Sequence, residues 1–404
     1  MQKNLKLENQ GASEAEAMPQ ACRRNQKPLH LQRTKGSIHM KIQTVGFIGL
    51  GLIGGSLAKA IKMYHPDVRI LAYMRSQDTL REAVQEGTID QACEAVDGKF
   101  SACDIIYLCA PVSTNARYLE ALKAFLPETC LLTDVGSTKT DIHSKVRALG
   151  LTDRFIGGHP MAGSEKTGYE NAKPHLIENA YYILTPGENV PSQTVEAFTA
   201  FTASLKAIPL VLDYRQHDFI TACVSHLPHL IASSLVELVK DLDGPQELMK
   251  QIAAGGFKDI TRIASSSPEM WEQICMTNSA NILQALEHYQ KQLEDFRQEL
   301  LQKDSEGIHS FFAAARDYRN SIPDTSAGPL KKVYAFYCDM VDEAGGIATL
   351  ATILASGGIS LRNIGIIHNR EFEEAVLRVE LYDEDAYQKA VALLRKYRYT
   401  IYER

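Results

Sequence analysis

TVGFIGLGLIGGSLAKAI, residues 44–61, passes from a short apolar strand into a helix through the spacing GxGxxG. A glycine string of this kind is a weak signal when it stands alone. Here it follows a strand, Thr44 to Ile48, and opens a helix, the context that gives it meaning. Gly49 permits the tight turn, Gly51 lets a pyrophosphate approach the backbone, and Gly54 lets the helix pack on the sheet. Leu50, Leu52 and Ile53 complete the turn, and the helix N-terminus faces the phosphates. The stretch therefore predicts a dinucleotide-binding turn.

Further apolar runs follow at Arg69 to Tyr73, Asp104 to Cys109, Cys130 to Asp134, Arg154 to Ile156, Ala180 to Leu184 and Ile208 to Leu212. Strands separated by helical patterns predict a mostly parallel sheet with helices on both faces, an α/β Rossmann-like dinucleotide-binding domain over residues 40–213. After Asp213 the strand signal stops, and residues 214–319 read as an all-α substrate and dimerisation domain. There Ile282, Leu286, Tyr289, Leu293, Phe296 and Leu300 form a seam at alternating spacings of four and three. It fits either a partner helix or an ordinary buried helix face. Residues 320–331, NSIPDTSAGPLK, are a linker by composition. Residues 332–404 follow the order β-α-β-β-α-β, a ferredoxin-like pattern.

The 404 residues carry a net charge of -6, which argues against nucleic acid or an anionic membrane as the main partner. No apolar run approaches the length of a membrane span. Eight cysteines are scattered without a CxxC pair, several inside apolar runs. They read as small core residues in a reducing, cytoplasmic setting, not as metal ligands or disulfides. Residues 1–39 differ from the rest, with seven Lys or Arg against three Glu and almost no apolar periodicity. They are expected to be a disordered basic extension, and Met40 stands directly before the first strand.

Chemistry concentrates in four places. Gly157 to Gly168, GGHPMAGSEKTG, places His159, Glu165 and Lys166 on an expected loop after a strand. Asp134 to Lys139, DVGSTK, ends another strand, where ligands bind in such sheets. Ser137 there is a hydrogen-bond donor to substrate or to an imidazole, and Lys139 fits either a ligand or a helix-end surface charge. In Ser225-His226-Leu227-Pro228-His229 the two histidines lack the i, i+4 spacing of helical zinc pairs and a third ligand nearby. His229 is read as a contact to cofactor or substrate and His226 as structural. Gly255 to Ala264 carries Lys258 and Arg262, the latter a planar fork for a carboxylate, with Trp271 nine residues beyond. The second strand ends Tyr73-Met74-Arg75-Ser76, without the acid usual for NAD. Arg75 fits either a 2′-phosphate, as in NADP, or stacking on adenine.

These motifs, in this order, resemble the prephenate/arogenate dehydrogenase family of tyrosine biosynthesis. The resemblance rests on GFIGLGLIGGSLAKAI, DVGSTK, GGHPMAGSEKTG, VSHLPHLIA and GGFKDITRIASSSPEMW and spans about residues 42–315. It implies a homodimeric, NAD-dependent oxidative decarboxylase of prephenate, with NADP the alternative cofactor. His159 would accept the substrate hydroxyl proton, with Ser137 orienting it or the hydroxyl. Arg262 would pair with a substrate carboxylate, and His229 would lie near nicotinamide and substrate. Glu165 and Lys258 would form a polar rim, and Trp271 would shape the pocket. Val341 to Ile347, VDEAGGI, resembles the effector loop of an ACT domain. That likeness implies L-tyrosine bound near Asp342, Gly345, Gly346 and Ile347. Two rivals stand beside this expectation: arogenate dehydrogenase, and a non-catalytic sensor of dinucleotide and amino acid.

Overall fold

Eight strands, β1 (Thr44–Ile48), β2 (Arg69–Tyr73), β3 (Gln91–Cys93), β4 (Ile105–Leu108), β5 (Leu131–Asp134), β6 (Phe155–Pro160), β7 (Tyr181–Pro186) and β8 (Ile208–Val211), form one sheet. Their order is β3-β2-β1-β4-β5-β6-β7-β8. The computed structural model describes residues 42–163, 166–322, 334–340, 345–367 and 375–403. All neighbours in the sheet are parallel except β6 and β7. Helices α1 (Leu52–Tyr64), α2 (Gln77–Gln85), α3 (Val112–Lys123), α4 (Thr140–Ala148) and α5 (Ser192–Ser204) connect the strands. Alternation along β1 explains the two layers: Val45 and Phe47 enter the core on one face with Leu57, Ile61 and Phe198. Ile48 enters the other with Leu71, Phe100, Leu108 and Phe155.

The helical part comprises α6 (Tyr214–Thr221), α7 (Leu227–Leu242), α8 (Leu248–Ile252), α9 (Gly255–Thr261), α10 (Pro268–Thr277), α11 (Ser279–Gln302) and α12 (Ser305–Ser321). A single π turn, Ala222–His226, joins α6 to α7. The continuous helix is long and apolar enough by composition to cross a bilayer. It nevertheless places buried His217, Asp218 and His226 in polar contacts. The expected seam on α11 divides. Ile282 is buried, Phe296 packs on Phe311 and Phe312 of α12, and Leu293 and Leu300 are exposed. Asn320 and Ser321 belong to α12 and not to the linker, because the helix continues two residues past the predicted end.

The last part has strands β9 (Tyr334–Met340), β10 (Leu361–Ile367), β11 (Ala375–Leu381) and β12 (Ile401–Glu403), with α13 (Gly346–Ser356) and α14 (Glu384–Lys396) between them. They form an antiparallel sheet in the order β10-β11-β9-β12. Phe336, Cys338, Leu377 and Val379 pack with Leu350, Leu354 and Leu394 in one apolar core. Residues 1–39, most of the linker, Glu165 and Asp342 lie outside the described residues.

Candidate active site

The glycine turn is built as its spacing requires. Gly49 has φ +97°, and a Cβ there would lie 2.9 Å from the backbone of Cys109. A Cβ on Gly54 would lie 2.6 Å from the Gly49 carbonyl oxygen, so the helix packs where only hydrogen fits. A Cβ on Gly51 would meet nothing within 4 Å, leaving the backbone open to a ligand. The α1 N-terminus has no side-chain cap and no acid in its first turn, which suits a pyrophosphate. Leu50 is buried beneath the turn, and Leu52 and Ile53 are half-buried in its first helical residues. Arg75 is exposed just before α2, whose N-cap is Ser76, and Tyr73 packs edge-on against Tyr118.

His159 does not stand on a loop. It belongs to β6 and pairs with Ile183 of β7. Continued pairing with the antiparallel neighbour extends the strand through Gly157 and Gly158, past the expected end at Ile156. The two glycines serve the interior. A Cβ on Gly157 would lie 2.4 Å from Thr185 Oγ1, and one on Gly158 would lie 2.5 Å from the Asp134 carbonyl oxygen.

His159 is half-buried, and its Nδ1 lies 2.8 Å from His217 Nε2. His217 Nδ1 lies 2.8 Å from Asp218 Oδ1. Asp218 also accepts from the backbone N–H groups of Lys139 (2.8 Å) and Thr140 (2.7 Å). Burial pushes the Asp218 carboxyl up, but its donors win and hold it below the usual range. An ionised carboxylate only accepts, so His217 Nδ1 donates to it, and in the neutral imidazole His217 Nε2 is left as an acceptor. His159 Nδ1 must then donate to His217, which leaves His159 Nε2 as a lone-pair acceptor. Burial, first, and then the electrostatic cost of a second positive charge beside His217, Lys139 and His226 hold His159 well below the ordinary histidine range, so it is neutral at pH 7.

The other candidates gather beside this relay. His226 is buried, its ring bonded to Asn278 (3.1 Å), and burial lowers it to about 4. Asn278 in turn donates to the Asp218 carbonyl oxygen (2.8 Å). Trp271 meets His226 edge-on, with centroids 5.9 Å apart, and stacks on His229 at 3.6 Å. The Trp271 Nε1–H is buried without a partner. His229 Nε2 lies 3.1 Å from Ser266 Oγ, and Arg262 is near enough to lower it electrostatically after burial has done so. Arg262 and Lys258 are exposed. Ser137 is half-buried, and no hydrogen bond joins it to His159, whose Nδ1 is taken by His217. Among the described residues, no three His, Cys, Asp or Glu are grouped to hold a metal ion.

Two members escaped the sequence reading, and the role of a third was left open. His217 and Asp218 form no recognised motif; their only signal was a polar pair in the first turns of an apolar helix. Lys139, for which a helix-end surface charge was one of two readings, is fully buried against Asp134. Its head group lies between Asp134 at the end of β5 and the Gly158 carbonyl of β6, and only the second is distant in sequence.

A glycine cradle and a neutral histidine sit at the C-terminal ends of strands in one sheet, the position of ligands in doubly wound folds. That combination defines a dinucleotide-dependent oxidoreductase. The chain matches the prephenate dehydrogenase nucleotide-binding domain over residues 57–210 and the prephenate dehydrogenase dimerization domain over residues 213–314. A prephenate dehydrogenase of Bacillus subtilis is 37% identical over 86% of this chain and 94% of its own. The solved A. aeolicus prephenate dehydrogenase, in complex with hydroxyphenyl propionate and NAD+, covers 70% of this chain and 99% of its own, with TM-score 0.66 and 30% identity. The Synechocystis arogenate dehydrogenase structure covers 69% of this chain and 99% of its own, with TM-score 0.64 and 28% identity. The chain belongs to the prephenate dehydrogenase family and is an NAD-dependent oxidoreductase. That membership sets the sensor alternative aside.

Proposed function

We propose that this chain converts prephenate to 4-hydroxyphenylpyruvate and CO2, and that His159 is its general base. The observation that carries this is the relay from Asp218 through His217 to His159, which fixes a neutral imidazole with its Nε2 free to accept a proton. The Gly49–Gly54 turn would hold NAD, with Arg75 at its adenosine end, and the bound cofactor would supply the hydride acceptor for the ring carbon bearing the hydroxyl. His159 Nε2 takes the hydroxyl proton. The imidazolium that forms donates from Nδ1 to His217, and Asp218 balances its charge, as the carboxylate does in a Ser-His-Asp triad. Aromatisation of the substrate ring drives loss of its carboxylate. Arg262 pairs with a substrate carboxylate, and His229 and Trp271 wall the pocket. Ser137 faces the substrate hydroxyl or the cofactor, and Lys258 lies at the rim, the role also proposed for Glu165, which is outside the described residues.

Residues 40–213, 214–319 and 332–404 are proposed as the nucleotide-binding, dimerisation and regulatory domains of a cytoplasmic homodimer. Exposed Val224, Leu238, Leu242, Ile252, Ile260 and Met276 on the helical part support a dimer face. The β-α-β-β-α-β order and the strand order of the last sheet support a ferredoxin-like ACT domain. Gly345, at φ +97°, caps α13, and with Gly346, Ile347 and Asp342 it would form the L-tyrosine site.

NADH absorbance with prephenate or arogenate, and with NAD or NADP, tests the proposal. Turnover of prephenate with NAD is expected, falling about 10²- to 10⁴-fold in His159→Asn. Undiminished turnover in that variant would remove the base assignment, and turnover of arogenate alone would move the substrate.

A further inference from the structure

Parallel pairing between β5 and β6 ends at Thr133 and Ile156, three residues short of His159. Two side chains take over where the ladder stops. The Gly158 N–H donates to Asp134 Oδ1 at 3.1 Å. The Gly158 carbonyl accepts from Lys139 Nζ at 2.7 Å. Lys139 Nζ also reaches Asp134 Oδ2 at 2.5 Å, and that oxygen accepts the Gly136 N–H at 2.9 Å. Both side chains are buried, at 0% and 1% exposure. The backbone N–H of the same lysine donates to Asp218 at 2.8 Å. One residue thus holds the peptide preceding His159 and the carboxylate behind His217.

A buried ion pair gives little net stability over an apolar pair of the same shape. Its partners therefore say more about its purpose than its charge does. Resting on the assignment of His159 as base, we propose that Asp134 and Lys139 are a positioning pair that sets the place of His159 against His217 and the DVGSTK turn. Neither is a catalytic residue. The groups facing His159 from the packed elements are His217 and Asp218 on α6, His226 on the π turn, Lys139 before α4 and Asp134 on β5. Lys139 is the fixed cation among them, and it lowers the proton affinity of His159.

The test uses the full chain with Lys139→Met and the double variant Asp134→Asn/Lys139→Met, which leaves no lone buried charge. We expect kcat to fall about 10- to 100-fold, since small misplacement of a reacting group costs that much. The NAD dissociation constant should stay unchanged. The acid limb of kcat/KM should move to higher pH as the cation near His159 is lost. A folded double variant with wild-type kcat and an unmoved acid limb would overturn the proposal. Amide hydrogen exchange needs no variant. The Gly158 amide of the wild-type protein should exchange slowly, and exchange as fast as in the following loop would overturn the clamp. Exchange at Gly158 does not depend on which group is the base, so failure of the His159 assignment in His159→Asn is separately visible.

Discussion

Replacing Asp218 by Asn changes one atom and forces a choice. Asp218 Oδ1 accepts from His217 and from the Lys139 N–H, and Oδ2 accepts from the Thr140 N–H. An amide offers one acceptor and one NH2 group. With its oxygen toward His217 it turns the NH2 against the Thr140 N–H. With its oxygen toward Thr140 it donates to His217 Nδ1 and orphans the Lys139 N–H. Each arrangement keeps two hydrogen bonds and leaves one backbone N–H without an acceptor, so the count does not choose between them. The second reverses the relay. His217 then donates from Nε2 to His159 Nδ1, and His159 carries its proton on Nε2, where the base must be empty. The charge that balances the imidazolium is lost as well. The same substitution directly behind a catalytic histidine costs about 10⁴-fold in a serine protease. Here one more ring intervenes, so we expect a kcat loss of about 10²-fold, or about 2.7 kcal/mol of barrier. The orphaned buried N–H should lower stability by about 1–3 kcal/mol. Initial rates of NADH formation at saturating prephenate, with urea unfolding in parallel, read both effects. A folded Asp218→Asn variant with wild-type kcat would refute the relay.

Gly51→Ala should leave unfolding unchanged but raise the NAD dissociation constant, because its methyl enters open space on the ligand side. Gly54→Ala should lower the melting temperature too, since its methyl meets the Gly49 carbonyl at 2.6 Å; equal behaviour of the two would refute the division of roles. Deleting residues after about 325 should leave activity and abolish inhibition by L-tyrosine, and a truncated enzyme still sensitive to tyrosine would place the effector elsewhere. His143 and His226 are both lowered by burial to about 4. The unfolded chain binds more protons than the native one between pH 6.5 and 4, so their stabilisation is full above 6.5 and lost as pH falls toward 4. Each accounts for about 3 kcal/mol on that linkage, and a urea midpoint flat across this range would contradict it.

The sequence alone determined the parts whose signals are local. Glycine spacing after an apolar run placed the dinucleotide turn, and alternation and periodicity placed β1, β2, β4, β5, β8 and the all-helical stretch to within a few residues. The order β-α-β-β-α-β of the tail was legible for the same reason. His159 was legible as a candidate because Gly-Gly-His-Pro is an unusual local pattern. Its strand was not, since pairing with β7 extends β6 and nothing in the neighbouring residues encodes that. His217, Asp218 and Lys139 were decided only by tertiary structure. A buried polar side chain is tolerated when its partners arrive from elsewhere in the chain. Those partners come together here across 139–218, 139–158 and 159–217, separations over which periodicity carries no information.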